Sequence, residues 1–305
     1  MKIERRDLAS LILAAGCWGL GTVVSKGALT EIAPVSLLAI QLASSIVVLV
    51  ALMRRQGIAL RGDGPRLLSR LGLLNPGLSY VLGLLGLLSI SASVSVLLWA
   101  LEPVMILLLA AVILRERIAP LTLVLSAAAI VGVGLVIYDP GSIRGQTVGV
   151  ALSLAGVACC AIYTVVTRRL IPDTQETSQV VLAQQAFALA FAVVLAVVVG
   201  LLGGPVLPER VSGVGLASAV LSGTLYYAGA YWLYLGALRR VPASIAAGSF
   251  YLIPIVGVTG AALLLGERLG AVQWLGAGVV LVSVLGILIR SIPSTDAVAL
   301  PVPRI

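Results

Sequence analysis

Long apolar runs and short polar joints alternate along the whole chain. The runs fall at roughly 8–29, 34–53, 67–88, 91–114, 120–138, 147–167, 179–202, 212–236, 242–265 and 270–289. Each approaches the ~20 apolar residues that a helix needs to cross a bilayer. The joints are of another kind: Arg54-Arg55, Asp139-Pro140-Gly141, Arg168-Arg169, Pro205 to Pro208 and Arg239-Arg240. Charge, Pro and Gly together break apolar helices and mark loops. The pattern predicts an all-α integral membrane protein with ten transmembrane helices. The first run, Leu8 to Leu29, exceeds a signal-peptide core and reads as the first membrane helix.

Composition agrees with that reading. The 305 residues are 60% hydrophobic and 10% charged, with mean hydropathy +1.14. Soluble domains carry about 25% charged residues, so water is the wrong solvent for this chain. The net charge of +8 could point to nucleic acid, but the basic residues sit in joints and not on one face. Their distribution is topogenic. Of the 20 Lys and Arg, all but Lys26, Arg144, Arg210 and Arg268 fall on the side that holds the N-terminus and the joints after helices 2, 4, 6 and 8. The positive-inside rule then puts both termini in the cytoplasm.

The two halves repeat. Aligning Glu116-Arg117 with Glu267-Arg268 brings Pro103 onto Pro254, Ala92-Ser93 onto Ala243-Ser244 and Leu114 onto Leu265. Thr22-Val23-Val24 likewise matches Thr164-Val165-Val166. Five helices per half is an odd number, so the second half must enter the membrane upside down, an architecture common among transporters. Residues 1–146 and 147–292 read as the two inverted five-helix repeats, and 293–305 as a disordered tail.

Several features together resemble the drug/metabolite transporter superfamily, in its ten-helix EamA-type branch. They are Trp18-Gly19 with Lys26, Pro103 with Glu116-Arg117, and Pro254 with Gly266-Glu267-Arg268, Gly276 and Gly286. The resemblance spans about residues 8–289. It implies export of small metabolites, often amino acids and here of the aromatic kind, across a bacterial inner membrane. It also implies a cavity between helices 1, 3 and 4 of one half and 6, 8 and 9 of the other. Two departures stand out. Gln41 occupies the place of a basic residue common early in helix 2. Helix 1 lacks the embedded Glu of the small multidrug branch, which speaks against proton-for-drug antiport.

Polar and aromatic residues deep in the spans are the candidates for solute contact, because an unpaired polar group in lipid is costly. Ser95, Trp99 and Glu102 follow an i, i+4, i+7 pattern and share one helical face. Glu102 has two readings: solute contact or proton coupling, and a neutral carboxyl hydrogen-bonded between packed helices. Pro103 and Pro254, near the midpoints of helices 4 and 9, are expected to kink them and free the carbonyls of Trp99 and Phe250. Pro76 would do the same for Gly72, beside Asn75. These acceptors could take a substrate ammonium, with cation–π help from the rings. The other reading is that the prolines only shape or hinge the helices. In helix 8, Tyr227, Tyr231 and Tyr234 form a stripe. Tyr227 and Tyr231 are candidates, and Tyr234 reads as interfacial belt. Trp18, Tyr80, Tyr163, Phe250 and Tyr251 complete the set, with helix packing as the plain alternative. Gln184-Gln185 reads as interfacial or as interhelical glue. Lys26 reads as snorkelling to the surface or meeting a substrate carboxylate, and the Glu-Arg pairs as helix-end anchors.

Other classes fit less well. No His is present, and every Asp lies at a joint or terminus, so the groups that hydrolytic chemistry recruits are missing from the spans. Cys17, Cys159 and Cys160 lie within apolar runs without metal-ligand spacing. No cofactor or metal is expected. The expected partners are a small zwitterionic or neutral solute and membrane lipid, with a monomer as a plausible state. A lipid flippase and a proton-coupled drug/metabolite antiporter are the alternatives.

Overall fold

The structure, a computed structural model, describes residues 5–60, 66–113, 119–138, 143–170, 176–206, 211–238, 240–241 and 249–291. Every regular element among them is helical. Span 1 is α1 (Arg5–Ala28) and span 2 is α2 (Pro34–Arg55). Span 3 runs through α3 (Arg66–Arg70), a 3-10 turn (Leu71–Leu73), a π-helical turn (Leu74–Leu78) and α4 (Ser79–Ser89). Span 4 is split into α5 (Ala92–Trp99) and α6 (Glu102–Ile113). Spans 5, 6 and 7 are α7 (Pro120–Ile137), α8 (Ile143–Leu170) and α9 (Thr177–Leu201). Span 8 is α10 (Gly213–Gly223), a π-helical stretch (Thr224–Gly229) and α11 (Ala230–Leu238). Span 9 is described from a 3-10 turn (Ser249–Tyr251) into α12 (Leu252–Leu265), and span 10 is α13 (Ala271–Ser291). Spans 1 to 7, as described, are long and apolar enough to cross a membrane.

Large apolar side chains stand exposed around the bundle, among them Val47, Val194, Leu201, Leu263 and Val282. In water such a surface would drive aggregation; in lipid it is the ordinary exterior. The interior is built from small residues and close backbones. A Cβ on Gly132 would come within 3.0 Å of the Gly276 carbonyl, and one on Gly276 within 2.6 Å of the Gly132 carbonyl. Spans 5 and 10 therefore meet backbone to backbone, as small-residue faces allow in membranes.

Neighbour relations follow the repeat. Span 2 packs on span 7, span 4 on span 9, and span 5 on span 10. Span 1 meets span 9 as span 6 meets span 4, and span 3 meets span 6 as span 8 meets span 1. Exchanging each span with the one five further on leaves this set of pairings unchanged. Spans 3 and 8, which both carry π turns, obey the same exchange.

The restart of span 4 changes the role expected for Pro103. It does not interrupt a running helix: it sits in the first turn of α6, where the missing N–H breaks no helical bond. Pro103 therefore begins a half-helix whose N-terminal end is positive. Pro254 sits in the first turn of α12, directly after the 3-10 turn Ser249–Tyr251. Pro76 lies in the π turn of span 3, next to Asn75, whose extended backbone (φ −143°, ψ 121°) breaks the helix.

Candidate functional site

Two ring clusters fill the middle of the bundle. In the first, Tyr80 of α4 stacks on Trp99 of α5, with centroids 5.2 Å apart and planes at 7°. Tyr226 and Tyr227, from the π stretch of span 8, approach Tyr80 edge-on at 5.3 and 5.2 Å. A π turn carries one more residue than an α turn, and such turns recur at functional sites. Here it lets two successive tyrosines reach one ring. Gly83 makes the stack possible, since a Cβ there would come 3.1 Å from the Trp99 ring. In the second cluster Trp18 of α1 is the hub. Tyr231, Tyr234 and Phe250 surround it at 5.5, 5.7 and 5.4 Å.

Polar groups converge on the same depth. The Glu102 carboxyl, at the start of α6, accepts from the Cys160 thiol of span 6 at 3.3 Å. Thr164 hydrogen-bonds the same carboxyl. Glu102 is only partly buried and lies within electrostatic range of Tyr163, Tyr226 and Tyr231. Thr22, Ser25, Ser95, Tyr80, Trp99 and Tyr227 border a central cavity of about 30 Å³. That volume admits water and no larger solute. The rings fill the bundle at this level.

Behind the rings runs a hydrogen-bonded belt. Tyr163 Oη donates to Gln184 Oε1 (2.7 Å), and Gln184 Nε2 to the Leu68 carbonyl (2.9 Å). Ser45 Oγ donates to Gln185 Oε1 (2.7 Å), and Gln185 Nε2 to the Tyr227 carbonyl (2.9 Å). Gln41 Nε2 reaches Ser25 Oγ and Ser222 Oγ, both at 2.8 Å. Gln184 and Gln185 are thus interhelical ties, not interfacial residues, and each braces one of the spans broken by a π turn.

The face opposite the N-terminus is closed by charged caps. Lys26 Nζ donates to the Leu87 and Ile90 carbonyls (2.6 and 2.9 Å), the C-terminal end of α4. The Glu267 carboxylate accepts from the Ala92 and Ser93 amides (2.7 and 2.9 Å) and from Ser93 Oγ, capping α5. Glu31 caps α10 through the Ser212 amide and hydroxyl (2.7 and 2.8 Å). These cations and anions sit where helix ends favour them. Lys26 is therefore tied to a helix end, and Glu267 is an anchor. Its counterpart, Glu116-Arg117, lies outside the described residues. On the N-terminal face, Arg240 Nε lies 3.0 Å from Asp7 Oδ1.

The structure thus gathers Trp18, Tyr80, Ser95, Trp99, Glu102, Tyr163, Tyr227, Tyr231 and Phe250 around the centre. Ser95 and Trp99 line the central cavity, and Glu102, beyond the break at Ala100-Leu101, bonds to span 6. Two candidates stand apart. Asn75 is buried and accepts from Ser79 Oγ at 2.6 Å, and Tyr251 Oη donates to the Val284 carbonyl of span 10. Tyr234 joins the Trp18 cluster instead of an interfacial belt. Tyr226, Cys160 and Thr164 were not singled out from the sequence. A pair such as Tyr226-Tyr227 offers α-periodicity only one inward member, so the π turn hides the second.

Discontinuous helices from two repeats, meeting at a ring-lined polar centre inside an apolar bundle, define a multi-pass membrane transporter. The chain belongs to the EamA-like transporter family, whose model matches residues 7–138 and again 147–289. A relative from Archaeoglobus fulgidus, named an uncharacterized transporter, is 25% identical over 281 residues, covering 90% of this chain and 95% of its own length. A solved structure titled only as the crystal structure of a protein superposes with TM-score 0.63 at 18% identity, covering 94% of this chain and 99% of its own. That second likeness bears on the fold alone.

Proposed function

We propose that the protein is an alternating-access exporter of small amino-acid-like metabolites, aromatic amino acids among them. The reading places it in a bacterial inner membrane with both termini in the cytoplasm and the repeats at 1–146 and 147–292. The observation that carries it is the juxtaposition of the Tyr80–Trp99 stack, Tyr226 and Tyr227 with the Glu102 carboxyl at the start of a half-helix. A zwitterion finds complementary groups there. Its ammonium would meet Glu102 and the ring faces, its carboxylate the positive N-terminal end of α12, and its side chain the rings. Described Lys and Arg side chains are absent from the lining of this centre, which suits a neutral or zwitterionic solute. The rings must part to admit it, so solute binding and opening are coupled.

The test is efflux from proteoliposomes loaded with a panel of amino acids, with and without a pH gradient. Saturable, mutually competing efflux is expected. Trp99→Ala should raise the half-saturating concentration ~2–30-fold, the range of a cation–π contact, with the protein still folded. Glu102→Gln should weaken amino acids more than analogues lacking the amine. Equal leakage of every solute, without competition, would overturn the reading. Efflux that requires an opposing pH gradient would favour proton-coupled antiport.

A further inference from the structure

A second cavity, of about 430 Å³, opens on the face that carries the N-terminus, between spans 1, 2, 7 and 8. It shares no lining residue with the central cavity. Its polar lining is Ser10, Gln56, Ser178 and Arg240, with Trp232 and Gly236 from α11; the remaining wall is aliphatic. Ser178 is 7% exposed, and its hydroxyl has no hydrogen-bond partner among the described residues. A buried polar group left unpaired costs about 1–3 kcal/mol, so an orphan hydroxyl beside a cavity calls for a water or a ligand atom. Ser178 lies in the first turn of α9, whose N-cap residue, Glu176, makes no side-chain cap. A helix N-terminus is itself an anion site.

The charges around this cavity are mostly positive. Arg240 holds Asp7 through Nε and is half exposed. Arg5, Arg6, Arg54 and Arg55 lie at the same ends of spans 1 and 2. Among the described residues Asp7 and Glu176 are the acidic neighbours, and neither lines the cavity. Donors above, aliphatic wall below, and an indole at the boundary describe a site for an amphiphile with an anionic head.

We propose that this cavity binds an anionic phospholipid from the adjacent leaflet. Its phosphate accepts from Ser178 Oγ, Arg240 and Gln56 beside the α9 N-terminus, and an acyl chain lies along α11. The site sits on the Asp7–Arg240 contact between spans 1 and 8, so lipid occupancy would brace that closure. It is independent of the solute path.

Titration of the detergent-purified protein with phosphatidylglycerol, diacylglycerol and inorganic phosphate, read by native mass spectrometry, tests this. Saturable phosphatidylglycerol binding is expected, at least 10-fold tighter than diacylglycerol and 100-fold tighter than inorganic phosphate. A Cβ on Gly236 would meet nothing within 4 Å, so Gly236→Leu fills the cavity without a clash at Cβ and should lower lipid affinity at least 10-fold. Ser178→Ala should lower it about 3–10-fold; if Gly236→Leu fails to fold, this variant decides. Diacylglycerol binding as tightly as phosphatidylglycerol would overturn the proposal, as would unchanged binding in both variants. Displacement of the lipid by a transported amino acid would overturn it too, by making the cavity part of the solute path.

Discussion

Charged side chains do their structural work at helix ends. Lys26 takes the carbonyl end of α4, while Glu31 and Glu267 take the amide ends of α10 and α5. Glu31 lies outside the spans, so its titration can be read. The Ser212 amide, and then its hydroxyl, hold the carboxyl below the ordinary value of 4.5. A depressed carboxyl contributes its tie fully above the ordinary value and loses it as pH falls through the lowered one. Acidifying the face opposite the N-terminus below that range should lower amide protection, relative to the intrinsic exchange rate, across residues 212–216. Glu31→Gln should show the lower protection at every pH, and a profile identical to the parent would contradict the role. The sequence marked Glu267 as an anchor. Which amides it would cap was illegible, because that depends on span 4 arriving beside the joint between spans 9 and 10.

At the level of helices, hydropathy was a good guide. The ten apolar runs correspond to the described spans to within a few residues at most ends, because a bilayer leaves the backbone no option but to satisfy itself within each helix. Periodicity failed where the helices are broken. Pro103 and Pro254 were visible as letters, but a proline in a first turn and a proline in mid-helix read alike. The π turns of spans 3 and 8 leave no hydropathy signal at all. What holds the span 8 turn is Gln185, which donates to the Tyr227 carbonyl and accepts from Ser45. Gln185→Leu strands both partners and should cost about 1–3 kcal/mol. Denaturation in mixed micelles would read this loss. The same variant should weaken amino-acid competition by letting Tyr227 shift. A variant with full stability and unchanged competition would show that the turn is held by other contacts.

Taken whole, the bundle divides into a part that carries the rings and a closely packed pair that does not. The rings, the half-helices and the π turns belong to spans 1, 3, 4, 8 and 9. Spans 5 and 10 contribute none of the rings in the two clusters, and their glycines admit no side chain between the backbones. Under the alternating access proposed above, this pair is the expected stationary reference. Amides of residues 126–136 and 276–284 should exchange slowest in the protein and stay indifferent to added solute. Those of 74–78 and 224–229 should respond to it. A keel of this kind decouples the lipid-facing flank of spans 5 and 10 from turnover. A bulky fluorophore fixed at Val131 or Leu275, both exposed, should report on the protein's rotation in the bilayer without slowing the carrier it rides on.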